Sequence, residues 1–159
     1  MTGKMWTILA MAALVAGPPV MAQETGALTS KIELEKSVAG ADGQPARKTY
    51  VAPDVVVPGD RVRVTLIFTN KGAAPAAGVN LVNPIPEGLV FDEIADPANF
   101  GVSTDDGKTF GALAALTVSV AGAAARPATA ADVTHVRWLW PDPIAPGQSR
   151  SVAFFGRVR

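Results

Sequence analysis

The 159-residue chain contains no cysteine and a single histidine, His135. Without thiols it cannot form a disulfide, a thiolate nucleophile or a cysteine metal site. A zinc site would require further imidazole or thiolate ligands, and a serine triad would require a histidine beside a nucleophile and a carboxylate. We therefore expect His135 to be an ordinary residue on the polar face of a strand. The sequence indicates a protein that is not an enzyme, with no catalytic residue, no cofactor and no metal site.

The chain has no net charge, because its 14 basic residues balance 14 acidic ones. No lysine or arginine stripe is present of the kind that binds a phosphate backbone, so we expect no nucleic-acid partner. Calcium takes six to eight oxygen ligands, but the acidic residues here lack the D-x-D-x-D spacing of a calcium loop. Solvated loop carboxylates are the favoured interpretation, and calcium binding is left open. The candidate ligands are Asp92, Glu93, Asp96, Asp105 and Asp106.

No apolar run is long enough to cross a bilayer, which takes about 20 residues. The opening segment has one lysine, an apolar run from Met5 to Ala16, and small residues at Val20-Met21-Ala22. This pattern predicts a signal peptide over residues 1–22, cleaved after Ala22, with a membrane anchor as the alternative. We expect an exported protein, periplasmic or extracellular, that is not an integral membrane protein after cleavage. Residues 23–30, which are small and polar, are expected to form a mobile leader.

The clearest pattern in the chain runs from Gly59 to Phe91. Apolar residues recur at every second position of Val62–Phe68, and the sequence Asn70-Lys71-Gly72 ends that run. A second run, Val79–Val82, is closed by a segment rich in proline and glycine. Period-2 alternation indicates a half-buried strand, so we predict two facing strands of a β-sandwich.

Short strand patterns with turn signals between them continue along the rest of the chain, and no amphipathic helix follows the opening segment. They predict one all-β domain over residues 31–159, an antiparallel sandwich of about seven to nine strands. Residues 39–48 and 121–132 are expected to be loops. The further strand candidates are Ile32–Lys36, Tyr50–Val57, Leu89–Ile94, Phe100–Ser103, Leu113–Val120, Val136–Trp140 and Ser151–Val158.

These motifs resemble the DUF11, or conserved-repeat, domain of bacterial surface and secreted proteins, which is an immunoglobulin-like sandwich. The chain departs from that family at Asn83, where an acidic residue often precedes the P-x-G turn. The resemblance implies the immunoglobulin-like fold and a non-catalytic role in protein binding, adhesion or structural assembly at the cell envelope or in the secretome. The matching segments are Leu34-Glu35-Lys36, Pro58-Gly59-Asp60, Thr69-Asn70-Lys71-Gly72, Pro86-Glu87-Gly88-Leu89, the strand around Trp138, Ala145-Pro146-Gly147 and Ser151–Phe155.

One hairpin sequence fits the pattern S-x-D-x-G-x-T-[FW], which resembles the Asp-box of sialidase-type β-propellers. A propeller needs several repeats, and this chain has one copy, so a structural turn is the favoured interpretation. The alternative is a carbohydrate-binding or hydrolase-associated domain that uses this hairpin. The residues of the pattern are Ser103, Asp105, Gly107, Thr109 and Phe110.

The partner is expected to be a protein or cell-surface component that binds at a sheet edge or at an exposed aromatic ring near Phe155. Neighbours on a strand face opposite ways, so if Phe154 is core then Phe155 faces outward, and we predict an interaction surface at Phe155 and Arg157. Charges on Lys31, Glu33 and Glu35 are expected to protect the first strand against pairing, and Pro53 to blunt the next. The closing strand lacks proline and is a candidate edge, with a central position beside the Trp138 strand as the alternative.

Overall fold

A computed structural model describes residues 26–40, 44–119, 121–122 and 124–159. The predicted signal peptide and the first three residues of the predicted leader lie outside these ranges. In the described part of the chain, no helix is long and apolar enough to cross a bilayer. The helical segments found there are two 3₁₀ turns of three residues, Leu113–Ala115 and Ala130–Asp132.

The structure confirms an all-β protein in which every strand pair is antiparallel. Two of the ten strands in the described ranges are only two residues long, and the other eight have four to thirteen residues. In chain order the strands are β1 (Gly26–Val38), β2 (Arg47–Val51), β3 (Arg61–Asn70), β4 (Val79–Pro84), β5 (Leu89–Ile94), β6 (Phe100–Ser103), β7 (Thr117–Val118), β8 (Arg126–Pro127), β9 (His135–Trp140) and β10 (Ser149–Val158).

The strands form a five-stranded sheet in the order β2-β1-β3-β10-β5, a three-stranded sheet in the order β4-β9-β6, and the small pair β7-β8. β3 and β4, the two strands expected within Gly59–Phe91, therefore belong to different sheets. Alternation explains why β3 buries one face, since Val62, Val64 and Leu66 are buried while the residues between them are partly exposed.

The inner faces of the two larger sheets share one hydrophobic core. Trp138 of β9 and Phe154 of β10 are both fully buried, with ring centroids 6.5 Å apart, so the contact joins the two sheets. Trp138 also packs on Phe100, at 5.0 Å, and its indole Nε1 donates a hydrogen bond to the carbonyl oxygen of Asp96 at 2.8 Å. A buried indole N–H needs such a partner. The two sheets are thus layers packed through large aromatic side chains.

The closing strand is internal, which corrects the prediction that it is a candidate edge. β10 pairs with β3 from Ser149 to Arg157 and with β5 from Phe154 to Val158. The central position of the alternative prediction is confirmed, but its place beside the Trp138 strand is wrong, because β9 lies in the other sheet, between β4 and β6. The alternation of β10 identifies which of its faces is buried, but it carries no information about which strands are its neighbours.

Residues 26–30, which the sequence predicted to be part of a mobile leader over residues 23–30, belong to β1. Gly26 lies opposite Asn70 in the β1–β3 register. A Cβ atom at Gly26 would stand 2.4 Å from the Phe68 ring, so any other residue here would require that ring to move. The start of β1 is therefore packed against β3.

Three further boundaries differ from the predictions. β2 is the edge strand beside the second half of β1, as expected, but it spans Arg47–Val51 and ends before Pro53. The predicted strand over Leu113–Val120 is replaced by a 3₁₀ turn and the two-residue β7. Within the loop predicted over residues 121–132, Arg126–Pro127 forms β8 and Ala130–Asp132 a 3₁₀ turn. Short pairs of this kind leave too little periodicity to be recognised in a sequence.

We expect Phe154→Ala to lower the free energy of unfolding by about 3–5 kcal/mol, because it empties a fully buried site between the two sheets. Phe155→Ala is the matched control, since Phe155 is the half-buried neighbour on the opposite face of the same strand. Urea unfolding followed by tryptophan fluorescence measures both values. A loss at Phe154 no larger than the loss at Phe155 would contradict the assignment of this contact as the link between the sheets.

Candidate functional site

The hairpin after β6 is closed by its own side chains. The hydroxyl of Ser103 donates to Asp105 Oδ1 at 2.6 Å and accepts the backbone N–H of Gly107 at 2.9 Å. Asp105 Oδ1 also accepts the N–H of Thr109 at 2.9 Å, and Asp105 Oδ2 accepts the Thr109 hydroxyl at 2.7 Å. Asp106 and Gly107 adopt φ angles of 59° and 78°, the left-handed region that this turn requires. Both carboxylate oxygens are therefore engaged inside the turn.

The aromatic residue of the pattern lies on the outer face of the three-stranded sheet. The guanidinium of Arg137, on β9, stands 4.4 Å from the centroid of the Phe110 ring. A cation over an aromatic face at this distance is attracted by the ring quadrupole. Phe110 therefore connects the hairpin to β9, and the arrangement stabilises a turn without presenting free ligand-binding groups.

Hydrogen bonds from Ser103 and from the backbone and hydroxyl of Thr109 hold the pKa of Asp105 well below its usual range. A carboxyl group whose folded pKa is depressed contributes stability that is present above its unfolded pKa of about 3.9 and is lost as the pH falls toward the folded value. Acid should therefore weaken the hairpin.

Asp105→Asn should lower the melting temperature at pH 7, because it removes the charged acceptor of these bonds. The difference from the parent protein should shrink as the pH falls from 5 to 2, because Asp105 takes up a proton in the unfolded parent chain over that range whereas the folded hairpin resists protonation. Calorimetry across that range measures it. Asp142→Asn is the control, since Asp142 is an exposed aspartate for which the described residues supply no side-chain hydrogen bond. A difference that did not change with pH would contradict the role of the ionised form.

His135 lies half-buried beside the hairpin, as expected for a polar-face residue. Its Nδ1 is 3.2 Å from the hydroxyl of Thr134, which itself donates to the Ser103 carbonyl and accepts the Asp106 N–H. This network holds the strand and the hairpin together.

The acidic residues considered for calcium are dispersed. Asp92 and Glu93 bind Arg61, while Asp96 Oδ2 accepts the backbone N–H of Ala153 at 2.8 Å. Asp105 is used in the hairpin. Within the described ranges, no three carboxylate or imidazole groups are arranged to hold a metal ion.

Arg61 organises the outer face of the five-stranded sheet. Its guanidinium bonds Glu35 at 2.7 Å, Asp92 at 2.6 Å and also Glu93, although its side chain is only 12% exposed. It also stands 3.9 Å from the centroid of the Phe155 ring. The ring predicted to form an exposed surface is therefore half-buried beneath Arg61, and its neighbour Arg157 pairs with Asp92 at 3.1 Å.

A second stack lies beside the first. Arg63 bonds Glu33 at 2.7 Å and covers the Tyr50 ring at 3.8 Å, and the rings of Tyr50 and Phe155 are 6.2 Å apart. Lys31 adds a bond to Glu33 at 2.7 Å. We call the residues of these two stacks the outer charged layer. Its charges are mutually paired, so this face is closed by its own side chains.

The first half of β1 has a different environment. β3 pairs with β1 from Gly26 to Leu34, whereas β2 pairs only with Leu34–Val38. Residues Gly26–Glu33 thus have a strand on one side and, in the described part of the chain, none on the other. β2 is short because Pro53 follows it closely, and a proline has no backbone N–H to donate to a continuing strand ladder. We call Gly26–Glu33 the open edge.

Two apolar side chains of the open edge are accessible to solvent. Leu28 is 47% exposed and Ile32 is 39% exposed. They lie opposite Phe68 and Val64, which places both on the inner face of the sheet. An edge with unpaired backbone groups and accessible apolar side chains is a template for strand addition.

The remaining strands with a free side are shorter. β2, β4, β5 and β6 have five, six, six and four residues, and β4 ends at Pro84. The β5–β10 register shifts at Phe155 and Gly156, and such a bulge twists an edge away from pairing. The open edge, with eight residues, is the longest unpaired flank among the described strands, which makes it the candidate binding site.

The charges on β1 do not protect the open edge as the sequence predicted. Glu33 and Glu35 are held by Arg63 and Arg61 across the face of the sheet, so they leave the backbone at the edge uncovered. The alternation of Leu28 and Ile32 with Thr29 and Lys31 was a signal for a strand. It was weak because the segment begins with small residues.

No family model, curated protein or solved structure matches this chain.

Proposed function

We propose that this chain is an exported, non-catalytic immunoglobulin-like module of the bacterial cell envelope or secretome, acting in protein binding or structural assembly. In this proposal residues 1–22 are the signal peptide, and the domain belongs with the DUF11-type repeats whose turn motifs it resembles. The packing of antiparallel sheets around Trp138 is compatible with such a module. The turn residues Pro58, Gly59 and Asp60 precede β3, where the resemblance expects a turn.

The open edge is the observation that carries the proposal. Eight residues of extended backbone pair on one side only, and strand addition supplies main-chain hydrogen bonds for affinity while alternate side chains supply specificity. Leu28 and Ile32 point to one face, and Lys31 and Glu33 to the other. The edge is thus suited to binding an extended segment of a protein.

The alternative, a carbohydrate-binding or hydrolase-associated domain using the hairpin, has less support. Both oxygens of Asp105 and the hydroxyl of Ser103 are engaged in bonds within the turn. A sugar would have to compete for those groups. A pocket does lie beside the hairpin, and both polar and apolar residues line it: Thr104, Asp105, Thr109, Ala115, Leu116, Thr117, Val118 and Ser119.

Site-specific cross-linking in cells tests the proposal. A photoreactive residue at Ser30 should capture a protein in the envelope or culture fraction, whereas the same probe at Ser37, which β2 covers, should capture far less. N-terminal sequencing of the recovered chain should begin at Gln23. An uncleaved chain confined to the cytosol, or no capture at Ser30, would overturn the proposed function.

A further inference from the structure

The open edge has a side-chain pattern that complements itself. We propose that it pairs antiparallel with the open edge of a second copy of this chain, about a two-fold axis at Ser30. The inference rests on the proposed function and names its partner. This strand pairing would join the five-stranded sheets of two copies into one continuous sheet.

Symmetry restricts the register. A two-fold axis relating neighbouring antiparallel strands is perpendicular to the sheet, so the inner faces of both copies lie on the same side. Directly opposite residues in an antiparallel pair point to the same face. Inner-face residues such as Leu28 and Ile32 must therefore lie opposite inner-face residues of the second copy.

With the axis at Ser30, Leu28 of each copy lies opposite Ile32 of the other. Both side chains are exposed in the single chain, and both would become cross-strand apolar pairs, each formed twice. On the outer face, Lys31 lies opposite Thr29 and Glu33 opposite Ala27, so no like charges are directly opposed. Seven residues of each copy, Ala27–Glu33, take part.

Neighbouring registers are less favourable. An axis at Thr29 places Leu28 opposite Ser30 and Ile32 opposite Gly26, so no apolar pair forms. An axis at Lys31 places the two lysines directly opposite each other, and like charges in that position are destabilising. It also places Leu28 opposite Leu34, whose free side already pairs with Val51 of β2. Axes nearer Gly26 shorten the paired segment.

The absence of cysteine allows an unambiguous cross-link. Residues opposite each other in an antiparallel pair have Cα atoms about 4.5–5.5 Å apart, within the range that a disulfide spans. Ser30→Cys should therefore form a disulfide-linked dimer on mild oxidation. Ser37→Cys is the matched control, an exposed serine in the same strand that should remain monomeric. Equal cross-linking of the two variants would overturn the proposed register.

Substituting charged residues for Leu28 and Ile32 tests the pairing without a covalent bond. Leu28→Lys combined with Ile32→Lys should weaken dimerisation at least about tenfold by sedimentation velocity, since both apolar pairs become repulsive. Leu28→Lys combined with Ile32→Glu should restore it in a salt-sensitive manner, because each new lysine lies opposite a new glutamate. Leu139→Lys, at a similarly exposed leucine on β9, should leave it unchanged.

The outcomes separate the two proposals. A chain that stays monomeric at all concentrations, with no Ser30→Cys dimer, overturns self-pairing. If the probe at Ser30 then captures a different protein in cells, the proposed function stands with another partner. If it captures nothing, both proposals fail. A cross-linked product of twice the chain mass, together with rescue by the opposite-charge pair, supports both.

Discussion

The contact between Trp138 and Phe154 is the constraint on which the rest of this structure depends. A domain without cysteine must join its two sheets by packing alone, and these two fully buried rings do so across the layer. Each large aromatic side chain buries about 150–250 Å². The turn between β5 and β6 is fixed to the same place, because Asp96 accepts the Trp138 indole through its carbonyl and the Ala153 amide through its carboxylate. The sheets are thereby joined where the chain crosses between them.

The inner faces of the two sheets form the core. The outer face of the five-stranded sheet is covered instead by paired charged side chains and aromatic rings. Arg61 and Arg63 lie flat on aromatic rings and bind carboxylates of neighbouring strands. Planar guanidinium groups suit this double role better than lysine would. The charges of this face are therefore paired within the chain, although the buried Nε of Arg63 has no hydrogen-bond partner among the described residues. The open edge of β1 is the longest strand flank without a described partner. Binding at an edge would leave both the core and the outer charged layer undisturbed.

The sequence allowed prediction of the fold class and of most strands because β3, β9 and β10 alternate strongly. It also predicted a structural turn at Ser103 and Asp105, since the groups that form it lie within a few residues of one another. Strand neighbours were not predictable, because they depend on pairing between distant segments such as β3 and β10. The open edge was missed for the same reason. It exists because β2 stops at Val51 while β1 already includes Gly26–Glu33, and weak local patterns concealed both features.

Amide hydrogen exchange of β1 tests the central claim most directly, namely that the first half of this strand offers a free backbone edge. In dilute solution the account predicts fast exchange at the outward-pointing amides of Gly26–Glu33 and slow exchange in Val62–Thr69 of β3, whose residues pair with β1 on one side and β10 on the other. The fast amides should gain protection as the protein concentration rises. Uniform slow exchange across Gly26–Val38 at the lowest concentration would contradict the account, because it would show that the edge is already covered by the chain itself.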